Sequence, residues 1–173
     1  MAAFTRPSGL NHVAYVTKDT AATRKFYTEM LGLRLVSYAA DEKVGSTGEA
    51  SPFLHTFFEL GDGSCIAFFE IEGLAMDHHD VPLPRWAPHL ALSLPSIEEV
   101  HAARQRLVDA GIEVIGPIEH ENIWSSIYFF DPNGVRLELT YQNRALTDAD
   151  ARAADLAVEA WLMEHPRATS LPT

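Results

Sequence analysis

The sequence is poor in cysteine, in positive charge and in long apolar runs, and each shortage removes a class of protein. One cysteine, Cys65, in 173 residues excludes an intrachain disulfide framework and any multi-thiolate zinc site. Its setting, Ser64-Cys65-Ile66-Ala67-Phe68-Phe69, reads as a small buried hydrophobe. Lys and Arg number 13 against 24 Asp and Glu, a formal charge of -11. Such a chain has no basic surface to release counterions from a phosphate backbone, so nucleic acid is not an expected partner. No apolar run approaches the ~20 residues needed to cross a bilayer. The start, Met1 to Gly9, lacks the apolar stretch of a secretory signal, and a soluble cytoplasmic protein is expected.

What is present is a repeat. His12 opens the alternation His-Val-Ala-Tyr-Val and His89 opens His-Leu-Ala-Leu-Ser, each followed by a helical stretch and by strand-like runs. The closing turns align as Gly61-Asp62-Gly63-Ser64-Cys65-Ile66-Ala67 on Pro132-Asn133-Gly134-Val135-Arg136-Leu137-Glu138, which sets Ala67 against Glu138. Strands are expected at 10–17, 33–39, 53–60 and 64–71, with a helix capped by Asp19 or Thr20. The second copy repeats them at 89–94, 112–115, 125–130 and 135–141, with a helix capped by Ser96. The expected fold is α+β: tandem βαβββ modules at 8–71 and 89–142, joined by a Pro-rich linker at 72–88 and followed by an added C-terminal helix at 146–165. With 47% hydrophobic residues they can share one compact core. Residues 40–52, rich in Gly, Ser and acidic side chains, are expected to project as a mobile loop. The added helix, started by Thr147-Asp148-Ala149-Asp150, carries an apolar stripe of Leu156, Ala160 and Met163 expected to rest on the sheet.

The repeat itself brings two histidines at equivalent strand starts, His12 and His89, to one carboxylate, Glu138. Two histidines and a carboxylate with open positions favour a divalent metal, above all non-haem iron. Glu138 on a largely apolar strand would otherwise be a costly buried charge. Superposing the copies also sets Phe57 on Tyr128 and His55 on Ser126, so all four should face one side.

Three segments, Asn11-His12-Val13-Ala14-Tyr15, Pro88-His89-Leu90-Ala91-Leu92 and Phe130-Asp131-Pro132-Asn133-Gly134-Val135-Arg136-Leu137-Glu138-Leu139, resemble the signatures of the vicinal oxygen chelate superfamily. That superfamily includes glyoxalase I, extradiol ring-cleaving dioxygenases, fosfomycin-resistance proteins, methylmalonyl-CoA epimerase and metal-free bleomycin-binding proteins. The resemblance implies a curved mixed sheet cupping a metal ion held by His12, His89 and Glu138. Glyoxalase I and the epimerase place a fourth protein ligand where this chain has Ala67, which cannot ligate. Glu70, the nearest replacement, should point to the other face of its strand.

Among the remaining members the chain is most similar to one-domain extradiol dioxygenases. Tyr128 stands ten residues before Glu138, as a tyrosine does in those enzymes, and His120 lies further back; the resemblance implies that both contact the substrate oxygens. Those enzymes also carry an acid/base histidine shortly before the second histidine ligand, an interval that here holds His78 and His79; His55 is the competing candidate. Phe57, Phe68, Trp86 and Trp124 are expected to wall a pocket for a planar apolar ligand. Arg85 is the only cation expected near its mouth, which disfavours a phosphonate antibiotic or a coenzyme A tail.

The expected activity is therefore Fe(II)-dependent cleavage of a small catecholic aromatic by O2. The alternatives are an oxygen-independent glyoxalase-like lyase or isomerase using Mn(II), Ni(II) or Zn(II), and a metal-free small-molecule binding or resistance protein. No membrane partner is expected, and a homodimer is left open.

Overall fold

The computed structural model describes residues 7, 9–74 and 84–164. The first module runs β1 (His12–Val16), α1 (Thr20–Lys25), β2 (Arg34–Lys43), β3 (Ala50–Glu59) and β4 (Cys65–Ile71). The second runs β5 (Leu90–Ser93), α2 (Ile97–Asp109), β6 (Ile115–His120), β7 (Trp124–Phe130) and β8 (Arg136–Gln142), followed by α3 (Asp148–Glu164). Each module forms a four-stranded mixed sheet, in the orders β1-β4-β3-β2 and β5-β8-β7-β6, with the first strand of each parallel to the last. The fold is α+β with tandem βαβββ modules and an added C-terminal helix.

Local chemistry explains most boundaries. Asp19 caps α1 by accepting from the Ala22 amide at 2.9 Å, and Ser96 caps α2 by accepting from Glu99 N, each satisfying a donor that a helix start leaves free. A π-helical turn, Phe26–Met30, continues α1 and ends at Gly32 with φ 71°. The equivalent hairpins turn at Gly63 and Gly134, whose φ of 85° and 80° side chains with a Cβ rarely adopt.

Three expectations change. Residues 40–52 are not a long loop: β2 runs to Lys43 and β3 starts at Ala50, leaving only a tight turn. β2 is an edge strand exposed at all ten positions, so its polar sequence loses the apolar alternation that marks a strand. The second strand of the second module lies at 115–120 instead of 112–115. Gly116 and Pro117 read as breakers, yet they sit in a register irregularity on the edge strand β6, where a missing ladder donor is tolerated. Finally, α3 does not rest on a sheet: Leu156, Val158 and Met163 are 66%, 58% and 78% exposed. Its start is nonetheless well made, since Thr147 N donates to Asp150 Oδ2 at 2.8 Å while Thr147 Oγ1 accepts from Asp150 N.

The core joins the modules on the helical side of both sheets. Phe26, Tyr27, Phe58, Ile66 and Phe68 share one buried cluster with Val100, Leu107, Ile127, Phe129, Leu137 and Leu139. Polar contacts cross the same boundary: Tyr27 OH donates to Asp131 Oδ2 at 3.1 Å, Thr17 Oγ1 donates to Asn133 Oδ1 at 2.7 Å, and Arg106 donates to the Glu29 carbonyl. The opposite face of each sheet carries the candidate site residues.

Candidate metal site

Register decides what shares a face. In the second sheet Ala91 pairs with Glu138, and Glu138 with Tyr128. Because side chains alternate along a strand, Arg136, Glu138 and Thr140 of β8 then lie on the same face as Ser126 and Tyr128 of β7. In the first sheet Ala14 pairs with Ala67 and Ala67 with Phe57, so the copies superpose as the repeat requires and Ala67 occupies the place of Glu138. Glu70 points the other way and accepts from the Thr20 amide at 2.8 Å. It serves the first helix and is no substitute ligand.

His89 Nε2 lies 3.0 Å from Glu138 Oε2. His89 Nδ1 donates to the Ala87 carbonyl at 2.9 Å, so the neutral ring presents a lone pair at Nε2. Ser126 Oγ donates to Glu138 Oε1 at 2.5 Å and shares a 2.8 Å hydrogen bond with Thr140, which fixes the carboxylate and leaves Oε2 facing His89. Two lone pairs this close repel unless a proton or a cation lies between them. A nitrogen and a carboxylate oxygen suit a divalent first-row ion, and cis ligands with bonds of about 2.1 Å stand about 3 Å apart. The pair fits a metal.

Tyr128 closes this half-site. Its hydroxyl and His120 Nε2 share a 2.8 Å hydrogen bond, and its ring meets His89 edge-on at 5.9 Å. Burial, followed by the negative charge of Glu138, pushes the phenol above its usual pKa. Trp124 lies on the same face, paired with His120 across the ladder.

His12 lies in the other sheet, edge-on to Phe57 at 5.4 Å and to His55 at 6.3 Å. Its Nδ1 donates to Asn11 Oδ1 at 2.6 Å, and His55 Nδ1 donates to the Phe68 carbonyl at 3.2 Å. Both rings, when neutral, therefore present Nε2. His55 is 7% exposed and stacks on Phe69 at 3.5 Å. Burial lowers its pKa, the Phe68 carbonyl opposes the shift, and His12 adds to it more weakly. Among the described residues no three His, Cys, Asp or Glu side chains converge to hold one ion. One chain thus carries two half-sites, His89 with Glu138 and His12 with His55.

Of the other expected site residues, Phe57 borders His12, while Phe68 is a correction. Phe68 has no exposed surface and packs against Tyr27 at 4.9 Å in the core, because its position on β4 is of the opposite parity to Ala67. The Trp86 side chain is 70% exposed. His78 and His79 lie outside the described residues. Arg85 is not the only cation at the site: the Arg136 guanidinium sits 4.2 Å above the Tyr128 ring and donates to the Trp86 carbonyl. Sequence reasoning set Ser126 on this face but gave it no role, and it missed Arg136, which lies two residues from Glu138 on the same strand face.

A family model matches residues 9–139 and describes the Glyoxalase/Bleomycin resistance protein/Dioxygenase superfamily. The chain belongs to this superfamily. Solved structures agree on the glyoxalase/dioxygenase fold. A glyoxylase/bleomycin resistance protein/dioxygenase domain from Frankia sp. EAN1pec is 21% identical, covers 79% of this chain and 99% of its own, and superposes with a TM-score of 0.63. A glyoxalase/dioxygenase from Nostoc punctiforme is 22% identical over 83% of this chain and 99% of its own, with a TM-score of 0.60. A point mutant of a genomically encoded fosfomycin resistance protein, FosX, from Listeria monocytogenes is 23% identical over 83% and 98%, with a TM-score of 0.55; that protein is complexed with Mn(II) and 1S,2S-dihydroxypropylphosphonic acid. The superfamily takes its name from glyoxalases, bleomycin resistance proteins and dioxygenases. Among the described residues of this member, no helix is long and apolar enough to cross a membrane.

Proposed function

We propose that this protein is an Fe(II)-dependent extradiol-type dioxygenase that opens a catecholic ring with O2, and that His12, His89 and Glu138 hold the metal. The observation that carries the reading is the arrangement around Glu138: a histidine and a carboxylate 3.0 Å apart, with a tyrosine–histidine hydrogen bond of 2.8 Å beside them. Ala67 at the position equivalent to Glu138 supplies no further ligand, which leaves coordination positions for a diol and for oxygen. When bound, Fe(II) supplies the Lewis-acid and redox chemistry that lets a diol react with dioxygen.

The chain's own residues supply orientation and proton control. Tyr128 and His120 hold a proton between them at the edge of the half-site, positioned to hydrogen-bond a substrate oxygen as it gives up its own proton. His55, kept neutral by burial and with Nε2 free, is taken as the acid/base in preference to His79. Phe57 and Trp124 flank the ring of the substrate, and Trp86 stands at the rim.

His12 joins His89 and Glu138 when a second copy is present. Among the described residues the strand ladders of the two sheets do not join, and the modules meet on their helical sides, so the two half-sites are free to face those of a partner related by a two-fold axis. A homodimer with two composite metal sites follows.

Oxygen uptake by anaerobically Fe(II)-reconstituted protein, offered mono- and bicyclic catechols, tests the reading. Uptake matched by a yellow ring-opened product is expected. No uptake, in protein shown to hold iron, would replace it with an oxygen-independent lyase or isomerase.

A further inference from the structure

Two arginines stand on the half-site face. Arg136 precedes Glu138 by two residues on β8, so the two side chains share a face about 6.6 Å apart along the strand. Its guanidinium lies 4.2 Å above the Tyr128 ring, and the same ring meets His89 at 5.9 Å. One aromatic ring therefore separates this cation from the His89–Glu138 pair. Arg85 lies 4.5 Å above Phe130, the next residue of β7 on the same face. The Arg136 bond to the Trp86 carbonyl ties the segment carrying Arg85 to β8 and keeps the two cations together.

Two guanidiniums gathered in a chain with 13 cations against 24 carboxylates need a reason. Among the described residues neither lies in an ion pair. Contact with an aromatic face holds each guanidinium in place; Arg136 spends one donor on Trp86, and the remaining donors of either arginine have no other partner among the described residues. A planar guanidinium held in place, with no ion pair among the described residues, is suited to bind a carboxylate through two parallel hydrogen bonds.

Resting on the dioxygenase reading, we propose that Arg136, assisted by Arg85, binds a carboxylate on the substrate, so that the natural substrate is an aromatic diol bearing an acidic side group. The diol is oriented by the metal ligands and Tyr128 at one end and by the guanidinium at the other. Such two-point anchoring selects one ring edge for cleavage.

The test is calorimetric titration of the anaerobic Fe(II)-loaded protein with 3,4-dihydroxybenzoate, its methyl ester and catechol, repeated with Arg136→Gln, Arg136→Lys and Arg85→Gln. The wild-type protein should bind the acid roughly ten- to a hundredfold tighter than the ester. Arg136→Gln should remove that preference by weakening the acid alone, Arg136→Lys should restore part of it, and Arg85→Gln should cause a smaller loss. Equal affinity of the wild type for acid and ester overturns the proposal. So does an equal weakening of all three ligands by Arg136→Gln, which marks a residue that only staples the Trp86 segment. Should Arg136→Gln fail to fold, Arg85→Gln and the wild-type preference still decide. Inorganic phosphate competing as well as benzoate would also overturn the carboxylate assignment. Admitting oxygen separates the two levels of inference: discrimination without ring opening sinks the dioxygenase reading and leaves the anion site, whereas ring opening without discrimination does the reverse.

Discussion

Tyr27 of the first module donates its hydroxyl to Asp131 of the second at 3.1 Å, and both groups are buried. Asp131 also accepts from the backbone amides of Asn133 and Val135 and from Asn133 Nδ2, at 2.9, 2.7 and 3.0 Å. One carboxylate therefore shapes the turn that starts β8 and bolts that turn to the other module.

Asp131→Ala should cost roughly 3 kcal/mol, because it strands several buried donors, and should lower the melting temperature by about 6–12 °C. Tyr27→Phe should cost about 1 kcal/mol. Since Tyr27 has nothing to donate to once Asp131 is gone, the double variant should be less destabilised than the sum, which urea denaturation of the four proteins would measure.

His55 links stability to pH. Burial holds its folded pKa below 6.5, so the unfolded chain takes up a proton before the folded one does. Its neutral form is favoured above pH 6.5, and stability should fall as pH drops from 6.5 toward its folded pKa. His55→Gln should flatten this part of the profile, seen as a smaller shift of the urea midpoint between pH 7 and pH 5.5. An unchanged slope would mean that other groups govern it.

Ser126 holds one oxygen of Glu138 at 2.5 Å. Ser126→Ala frees the carboxylate to rotate and should weaken metal affinity by roughly 10- to 100-fold, while Glu138→Ala should abolish metal binding. Chelator competition in metal-loaded protein would read both.

Tyr128→Phe removes the partner of His120 without touching a ligand. Metal content should be retained and kcat should fall by roughly 10²- to 10⁴-fold if the pair manages a proton. A fall in metal content instead would assign Tyr128 to holding His89 in place.

Composite sites predict complementation between chains. His12→Ala and Glu138→Ala should each be inactive alone. Mixed and reassociated one to one, random dimers should recover about a quarter of wild-type turnover, because half are hybrids and each hybrid has one intact site. No recovery would place all three ligands within one chain.

The half-site was legible where chemistry repeats in the sequence. His89, Glu138 and Tyr128 stood at fixed places in a duplicated pattern, and strand alternation aimed them at one face as read. The same alternation was misapplied at Phe68, whose neighbour Ala67 takes the site-facing position. The rule did set Ser126 on that face and could have set Arg136 there, but neither position announces a role in the sequence. Their roles depend on which strand lies alongside, and that is set by pairing across the ladder.

The sequence by itself determined the duplicated βαβββ order, the helix cap at Ser96, the first cap as Asp19 or Thr20, and the equivalence of Ala67 with Glu138. These follow from local periodicity and from turn and cap chemistry, which act over a few residues. Tertiary structure alone decided that 40–52 is a ribbon, that α3 stands clear of the sheets, and that His12 and His89 occupy separate half-sites. Those outcomes depend on which apolar faces bury against each other. Here the two modules join through their helical sides, around Tyr27 and Asp131, and the candidate site residues lie on the opposite faces of the sheets.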